Sequence, residues 1–415
     1  MAPDVAPREV DYLLIGGGLA TAACAQTLRD EGAEGSILVV GRELDPPYHR
    51  PALSKGYLQG KEDRGAALVQ PPEWWEEQGI ELLTRTSVMK LDAAERVAKL
   101  SSKEEVHFKS ALIATGAIVR RLRVPGGDLD GIHYLRAFGN SDAIRADAEK
   151  ASRVVLIGGS YIGCEVAASL ASGFGCECTI LMQEEVNFER QFGREVGAFF
   201  TGLLAEHGVT VHGNDELDRF EGEDGHVSRV VSKAGIEIDC ACVVIGAGVM
   251  PDVMLARGAG LELGERGGVK CSSRLETSAA GIYAAGDMCE YESPLLGRDL
   301  RVEHWDVAKE QGRTAALNML GRDVPHDALP YFFSDLADWA SMEYVGLGSG
   351  DPVIRGSLAS GEFTAFYLDD QGRVTGALTV GRSQELEQAR RLIREQTTPD
   401  PGVLADPRVA LVGSS

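Results

Sequence analysis

The sequence predicts an α/β protein with two Rossmann-like, parallel-sheet units followed by a smaller α+β region. Two observations carry the first part: at residues 12–21 and again at 154–171, an apolar strand runs into a glycine-rich turn and then into a helix of small residues. The third is that the pattern changes after residue 326, where short strands near 342–347, 363–368 and 374–380 precede one helix at 384–394. A chain of 415 residues also exceeds one ordinary core, so two or three domains are expected.

The opening stretch is the most informative. Tyr12, Leu13, Leu14 and Ile15 read as a buried strand, Gly16, Gly17 and Gly18 as a tight turn, and residues 19–28 as a helix. A turn without Cβ atoms lets the backbone approach a pyrophosphate, and the helix behind it offers unpaired N–H groups and the positive end of its dipole. Residues 36–40 supply a second strand, and Glu43 beyond it is placed to accept hydrogen bonds from a ribose. These features together expect a dinucleotide rather than a merely structural turn. One departure is Thr21, which stands where the fingerprint has Gly or Ala.

Composition narrows the class. Hydrophobic residues make up 44% and charged residues 25%, as in a globular protein, and 50 glycines indicate many tight turns. The net charge of −22 argues against nucleic acid or an anionic membrane as the main partner. No apolar run is long enough to span a bilayer, and the N-terminal stretch has neither a basic nor an apolar leader region, so a cytoplasmic location is expected. The eight cysteines are expected to be free thiols. Cys176/Cys178 and Cys240/Cys242 are spaced to put both sulfurs of a pair on one face of a strand, yet no further ligands lie at zinc spacing, and buried small residues account for them better.

Further along, the prolines of residues 46–55 hold the chain extended, and Ser54 reads as the cap of a short helix beginning near Lys55. Residues 111–117 form a strand that ends in Thr115 and Gly116, again backbone prepared for a ligand. The second unit repeats the opening design: strand 154–157, then Gly158, Gly159, Ser160, Tyr161, Ile162 and Gly163, a helix through residue 171, and strand 178–182. Gln183, Glu184 and Glu185 come after that strand, with no arginine before Arg190. Acidic groups there accept from ribose hydroxyls and repel a 2′-phosphate, so NADH is expected over NADPH. Glu165 is the one charge on an otherwise apolar helix, either at a wet edge or buried with a partner. Gly246 and Gly248 mark a return crossing, residues 281–287 end a strand on Asp287, and 302–306 lead into a helix over 307–320. The Pro- and Gly-rich tail after residue 397 reads as a surface strap or a partly disordered segment.

In order and spacing, GGGLAT, PPYHRPALSK, ALIATGA, GGSYIGCE, GIYAAGDM and VEHWD resemble the two-dinucleotide flavoproteins. The chain is similar to the NADH-dependent ferredoxin and rubredoxin reductases that serve Rieske oxygenases and cytochromes P450, and to the apoptosis-inducing-factor flavoproteins. The resemblance implies a glutathione-reductase-like topology, with an FAD domain of residues 1–118 and 247–325, an NADH domain of 119–246, and a C-terminal domain of 326–415 covering the flavin. Gly16, Gly18 and Glu43 would hold the adenosine half of FAD, Arg50 and Lys55 the flavin pocket, Thr115 and Gly116 a close backbone approach, and Asp287 the ribityl chain. Gly158, Ser160, Tyr161, Ile162, Gly163, Gln183, Glu184 and Gly248 fall to NADH. Lys55 near flavin N5 would pair with Glu165, and Trp305 would stack near the nicotinamide, while Phe333 stands where relatives often have Trp.

The implied reaction is hydride transfer from NADH to the flavin, then single-electron transfer to a small iron–sulfur carrier such as a [2Fe–2S] ferredoxin, by a monomer or homodimer. Arg298, Arg301, Lys309 and Arg313 are candidates for a basic docking patch. No CxxxxC dithiol lies near the first turn, which disfavours disulfide chemistry. The alternative is a redox-sensing module of the apoptosis-inducing-factor kind, working through a long-lived charge-transfer complex.

Overall fold

The computed structural model describes residues 8–411. The chain forms two compact units, one of Met1–His49, Gly65–Ile118 and Val249–Pro330, the other of Arg50–Arg64, Val119–Gly248 and Tyr331–Ser415. Among the described residues no helix is long and apolar enough to cross a membrane.

The first unit is built on a parallel sheet. The strand Arg8–Ile15, buried from Leu13 onward, pairs with Ile37–Val40 on one side and Glu105–Ile113 on the other, Ile37–Val40 pairs onward with Ile80–Leu83, and Ile282–Ala284 joins along Glu105–Ile113. Val88–Asp92 and Val97–Leu100 complete one edge as an antiparallel hairpin. Two helices, Leu19–Asp30 and Trp305–Met319, pack together in the same unit. Their approach requires Gly312, because a Cβ there would run into the carbonyl oxygen of Ala20. The register aligns the strand ends, with Ile15 opposite both Val40 and Ile113, and Ala284 opposite Ile113. The glycine turn, Glu43, Thr115 with Gly116, and Asp287 therefore all lie just beyond the carboxyl ends of adjacent strands, where open α/β sheets bind ligands.

The second unit repeats this arrangement. Its five parallel strands run in the order Thr210–His212, Glu177–Leu181, Arg153–Ile157, Cys242–Ile245, Ile132–His133. Ile157 is level with Leu181 and Ile245, so Gly158, Gln183 and Gly246 also leave from one edge. Leu217–Glu223, His226–Ser232 and Glu237–Asp239 form a small antiparallel sheet. The C-terminal part is a five-stranded antiparallel sheet, Tyr331–Leu336, Ala340–Gly346, Val374–Val380, Glu362–Leu368 and Val353–Ser357 in spatial order, with the helix Leu386–Arg394 on it. An aromatic cluster joins this sheet to the second dinucleotide fold: Tyr161 stands 5.4 Å from Phe188 and 5.0 Å from Phe332 between ring centroids, and Phe192 is 5.5 Å from Tyr344.

Several local expectations change. Ser54 does not open a helix at Lys55; it closes a 3-10 turn, Arg50–Ser54, because the prolines before it favour a tight start and its hydroxyl is drawn elsewhere. The tail forms a short helix, Pro401–Ala405, capped by Asp400. The buried guanidinium of Arg355 holds the tail to its sheet by donating to the carbonyls of Asp406 and Val409, at 2.5 and 2.9 Å, while pairing with Glu385 at 2.8 Å. That carboxylate, hydrogen bonded by Arg382, Thr364 and Arg355, is held down at about 2 against the opposing effect of burial.

His326, 2% exposed, comes after the helix Trp305–Met319. The hydroxyl of Thr314 donates to the Glu310 carbonyl, so Nδ1 of His326 carries the hydrogen and donates to Thr314 at 3.0 Å. Its Nε2 has no hydrogen-bond partner among the described residues, and burial pushes the imidazole down to about 4. The unfolded chain therefore takes up this proton more readily than the folded one. The stability contributed by neutral His326 is present above pH 6.5 and is lost as pH falls from there to about 4. The urea midpoint should drop between pH 7 and pH 5, by up to about 1.4 kcal/mol per pH unit from this group, and His326→Gln should flatten that part of the curve. An equal slope in the variant would refute the assignment.

Candidate dinucleotide and redox site

In the first unit, Gly16 comes directly after the strand with φ +136°, and an added Cβ would collide with the carbonyl of Ala114. The Gly16 N–H donates to Val40 at 2.9 Å, tying the turn to the next strand. Gly18 is the N-cap of Leu19–Asp30 and provides no side-chain cap, and a Cβ on it would meet nothing within 4 Å. The first N–H groups of that helix thus receive no side-chain cap. Thr21 is fully buried, and its hydroxyl has no hydrogen-bond partner among the described residues.

Glu43 accepts from the Tyr48 hydroxyl at 2.5 Å, which fixes a carboxylate just beyond the second strand. Thr115 donates to the carbonyl of Asp252 at 2.6 Å, and Gly116 has φ +71°. The Gly286 N–H donates to the side-chain oxygen of Gln311 at 2.7 Å, while the amide nitrogen of this buried Gln311 is unpartnered among the described residues. Asp287 is close enough to His304 to favour its protonated form, although burial prevails and holds that imidazole at about 4. Trp305 donates its indole N–H to His49 Nδ1 at 3.2 Å and carries Lys309 5.8 Å from its ring centroid.

In the second unit, Gly158 has φ +107°, and an added Cβ would lie 2.6 Å from the carbonyl oxygen of Gly246. A Cβ on Gly163 would strike the carbonyl of Gly158, so the helix is pressed onto the turn. Ser160 is the N-cap of Tyr161–Phe174, yet its hydroxyl accepts from Gln191 at 3.2 Å instead of capping. Again the helix N-terminus is left for a ligand. Asn187, fully buried, braces the turn by donating to the Gly159 carbonyl at 3.4 Å. Tyr161 lies in the aromatic cluster with its phenol pushed well up by burial, Ile162 opens the helix beside it, and Gly248 is exposed with φ +84°. Gln183 and Glu184 both engage Arg190, Gln183 at 3.3 Å and Glu184 as an ion pair.

Glu165, 5% exposed, is held by three side chains of this unit. Its Oε1 takes Lys55 Nζ at 2.7 Å and the Ser334 hydroxyl at 2.5 Å, and its Oε2 takes the Ser54 hydroxyl at 2.5 Å. Lys55 also stands 5.9 Å from the Phe333 ring centroid. Arg50, at the start of the 3-10 turn, donates to the Arg136 carbonyl at 2.5 Å. The parts played by Ser54, Ser334, His49 and Gln311 carry no signal in the sequence; each acts through a distant residue, which no local pattern marks. In the candidate docking patch, Arg301 pairs with Glu303 and Arg313 with Glu310 at 3.3 Å.

Two turns that a Cβ would obstruct, two uncapped helix N-termini and the orphaned Thr21 and Gln311 groups fit two dinucleotides. All eight cysteines are free and buried, and burial pushes the Cys24 and Cys164 thiols well up, so neither dinucleotide helix carries a reactive thiolate. Gly16→Ala should cost about 1–3 kcal/mol and give a colourless protein; a yellow protein of unchanged stability would contradict the close approach.

Residues 10–312 match the pyridine nucleotide-disulphide oxidoreductase family, and 331–413 match the reductase C-terminal family. The ferredoxin–NAD(+) reductase component of the anthranilate 1,2-dioxygenase system of Burkholderia cepacia is 34% identical over 405 residues, 96% of this chain and 98% of that one. Two solved structures are similar: a ferredoxin reductase from Rhodopseudomonas palustris, with TM-score 0.92 and 31% identity over 97% of this chain and 98% of its own, and putidaredoxin reductase in covalent complex with putidaredoxin, with TM-score 0.91 and 32% identity over 97% of each. The chain therefore belongs to the pyridine nucleotide-disulphide oxidoreductase family, in the group that carries the reductase C-terminal domain.

Proposed function

We propose that this protein is an NADH-dependent FAD flavoprotein reductase that delivers electrons to a small iron–sulfur protein such as a [2Fe–2S] ferredoxin. The observation that carries the reading is the duplicated strand end with an uncapped helix N-terminus, one for each dinucleotide, in a chain whose dinucleotide helices hold no reactive thiol. The acceptor is then a separate carrier, in keeping with relatives named as ferredoxin and putidaredoxin reductases. When bound, the cofactors supply two-electron transfer from the nicotinamide to the flavin and single-electron release to iron–sulfur.

The chain's own residues bind, orient and charge that chemistry. We assign residues 1–118 with 247–325 to FAD and 119–246 to NADH. Gly16, Gly18 and Glu43 hold the adenosine half of FAD; Arg50, Thr115, Gly116 and Asp287 hold the rest. Gly158, Ser160, Tyr161, Ile162, Gly163 and Gly248 receive NADH, with Gln183 and Glu184 at its ribose. Lys55 supplies positive charge to the flavin, and Glu165, 2.7 Å from its Nζ, sets its direction. Trp305 lies beside the nicotinamide. Eight free thiols suit a reducing, cytoplasmic setting.

Stopped-flow absorbance tests the function. Anaerobic NADH should bleach the yellow protein quickly, and ferredoxin should then reoxidise it faster than oxygen does. Slow bleaching with a persistent long-wavelength band, indifferent to ferredoxin, would point to a redox sensor instead. Lys55→Ala and Glu165→Ala should each slow bleaching at least tenfold, about 1.4 kcal/mol of barrier, with FAD still bound; unchanged rates would remove both from the site. NADPH should reduce the flavin at least tenfold less efficiently than NADH, because Glu184, oriented by Arg190, accepts from a free ribose hydroxyl that a 2′-phosphate removes; comparable efficiencies would overturn that assignment.

A further inference from the structure

His49 and Trp305 lie 256 residues apart in the chain, yet the indole N–H of Trp305 donates to His49 Nδ1 at 3.2 Å. Their ring centroids are 5.4 Å apart and their planes meet at 49°. An indole nitrogen only donates, so His49 Nδ1 must be bare and its single hydrogen sits on Nε2. His49 is itself fixed: its backbone N–H donates to Ala67 at 2.8 Å, and the preceding Tyr48, 1% exposed, is anchored through Glu43. Trp305 is the first residue of its helix, and an indole has a single N–H to donate. The bond to His49 therefore sets the direction of that N–H and, with it, the plane of the indole.

We propose that His49 is a positioning residue for the nicotinamide step: its neutral imidazole holds Trp305 in one orientation, and protonation releases it. This rests on the proposed placement of Trp305 beside the nicotinamide. A protonated ring has no lone pair on Nδ1, so two N–H groups would face each other across the gap and the indole would have to turn away. The surrounding charges favour the neutral form. Burial opposes protonation, and Lys309, from the Trp305 helix, acts in the same direction, together holding His49 below its ordinary value. Glu43, beyond the second strand, is engaged by the Tyr48 hydroxyl; Asp306 comes after Trp305 on the helix, and His304 before it stays neutral through burial. The bond is thus present at neutral pH and lost in acid, below the ordinary histidine range.

The test is nuclear magnetic resonance of holoenzyme labelled with [15N]tryptophan, which contains four indoles; the signal missing in Trp305→Phe is that of Trp305. At neutral pH it should lie downfield, then move upfield in a single step on acidification, with a midpoint below 6.5. In His49→Leu it should sit upfield at every pH. In His49→Asn, whose side-chain oxygen replaces Nδ1 as acceptor, it should return downfield and not titrate. His49→Leu should raise KM for NADH roughly fivefold, the worth of one neutral hydrogen bond, with kcat little changed, and His49→Asn should restore it. A Trp305 signal that is identical in the wild type and His49→Leu overturns the proposal, as does a signal that responds while KM for NADH does not. A wild-type flavin that NADH fails to bleach would instead overturn the proposed function and leave the indole titration unaffected.

Discussion

A buried carboxylate is the constraint on which the second unit depends. An ionised Glu165 removed from water costs several kcal/mol unless it is paired and hydrogen bonded. Its partners come from two other stretches of chain: Ser54 and Lys55 at the end of a 3-10 turn, and Ser334 on the first strand of the C-terminal sheet. The C-terminal sheet is thereby tied to the nucleotide fold by a polar knot as well as by the aromatic cluster around Tyr161 and Phe332. Two hydroxyls and one ammonium meet the carboxylate's needs, and the ammonium is left partly exposed, its side chain at 16%. A charge held in this way is oriented and not fully desolvated.

The sheets explain why the remaining site residues converge. Parallel strands in register end at one edge, so the turn after each strand is delivered to the same place. In the first unit this gathers Gly16, Glu43, Thr115 and Asp287 from across nearly the whole length of that unit. In the second it gathers Gly158, Gln183 and Gly246. Positive φ at Gly16 and Gly158, with backbone carbonyls where a Cβ would be, makes each turn specific to glycine, and the helix after each has no side-chain cap. Fold and anion site are therefore the same local feature.

Electrostatics frame the encounter with a carrier. The chain carries a net charge of −22, and two of the four basic residues of the candidate patch, Arg301 and Arg313, are matched by their own acidic neighbours. Such local pairing weakens long-range attraction to an acidic partner. At the other end of the chain, Arg355 shows a different use of a buried charge: it gathers carbonyls of the tail, beside the buried Leu404.

The sequence by itself determined the fold class, the two glycine turns, the acidic residues beyond each second strand and the absence of a redox dithiol. All of these arise from short-range chemistry: the strand period, the missing Cβ, the spacing of a few neighbouring residues. Even there Ser54 misled, because a serine before a helix-like stretch reads as a cap until the competing acceptor is known. The family resemblance brought Lys55 and Glu165 together, 110 residues apart, which no periodicity could do. Only the tertiary structure decided that Ser54 and Ser334 complete that carboxylate's shell, that Gln311 steadies Gly286, and that His49 holds Trp305. Each of these contacts joins residues distant in sequence through packing of whole elements, and hydrogen-bond geometry over a few ångströms leaves no trace in residue order.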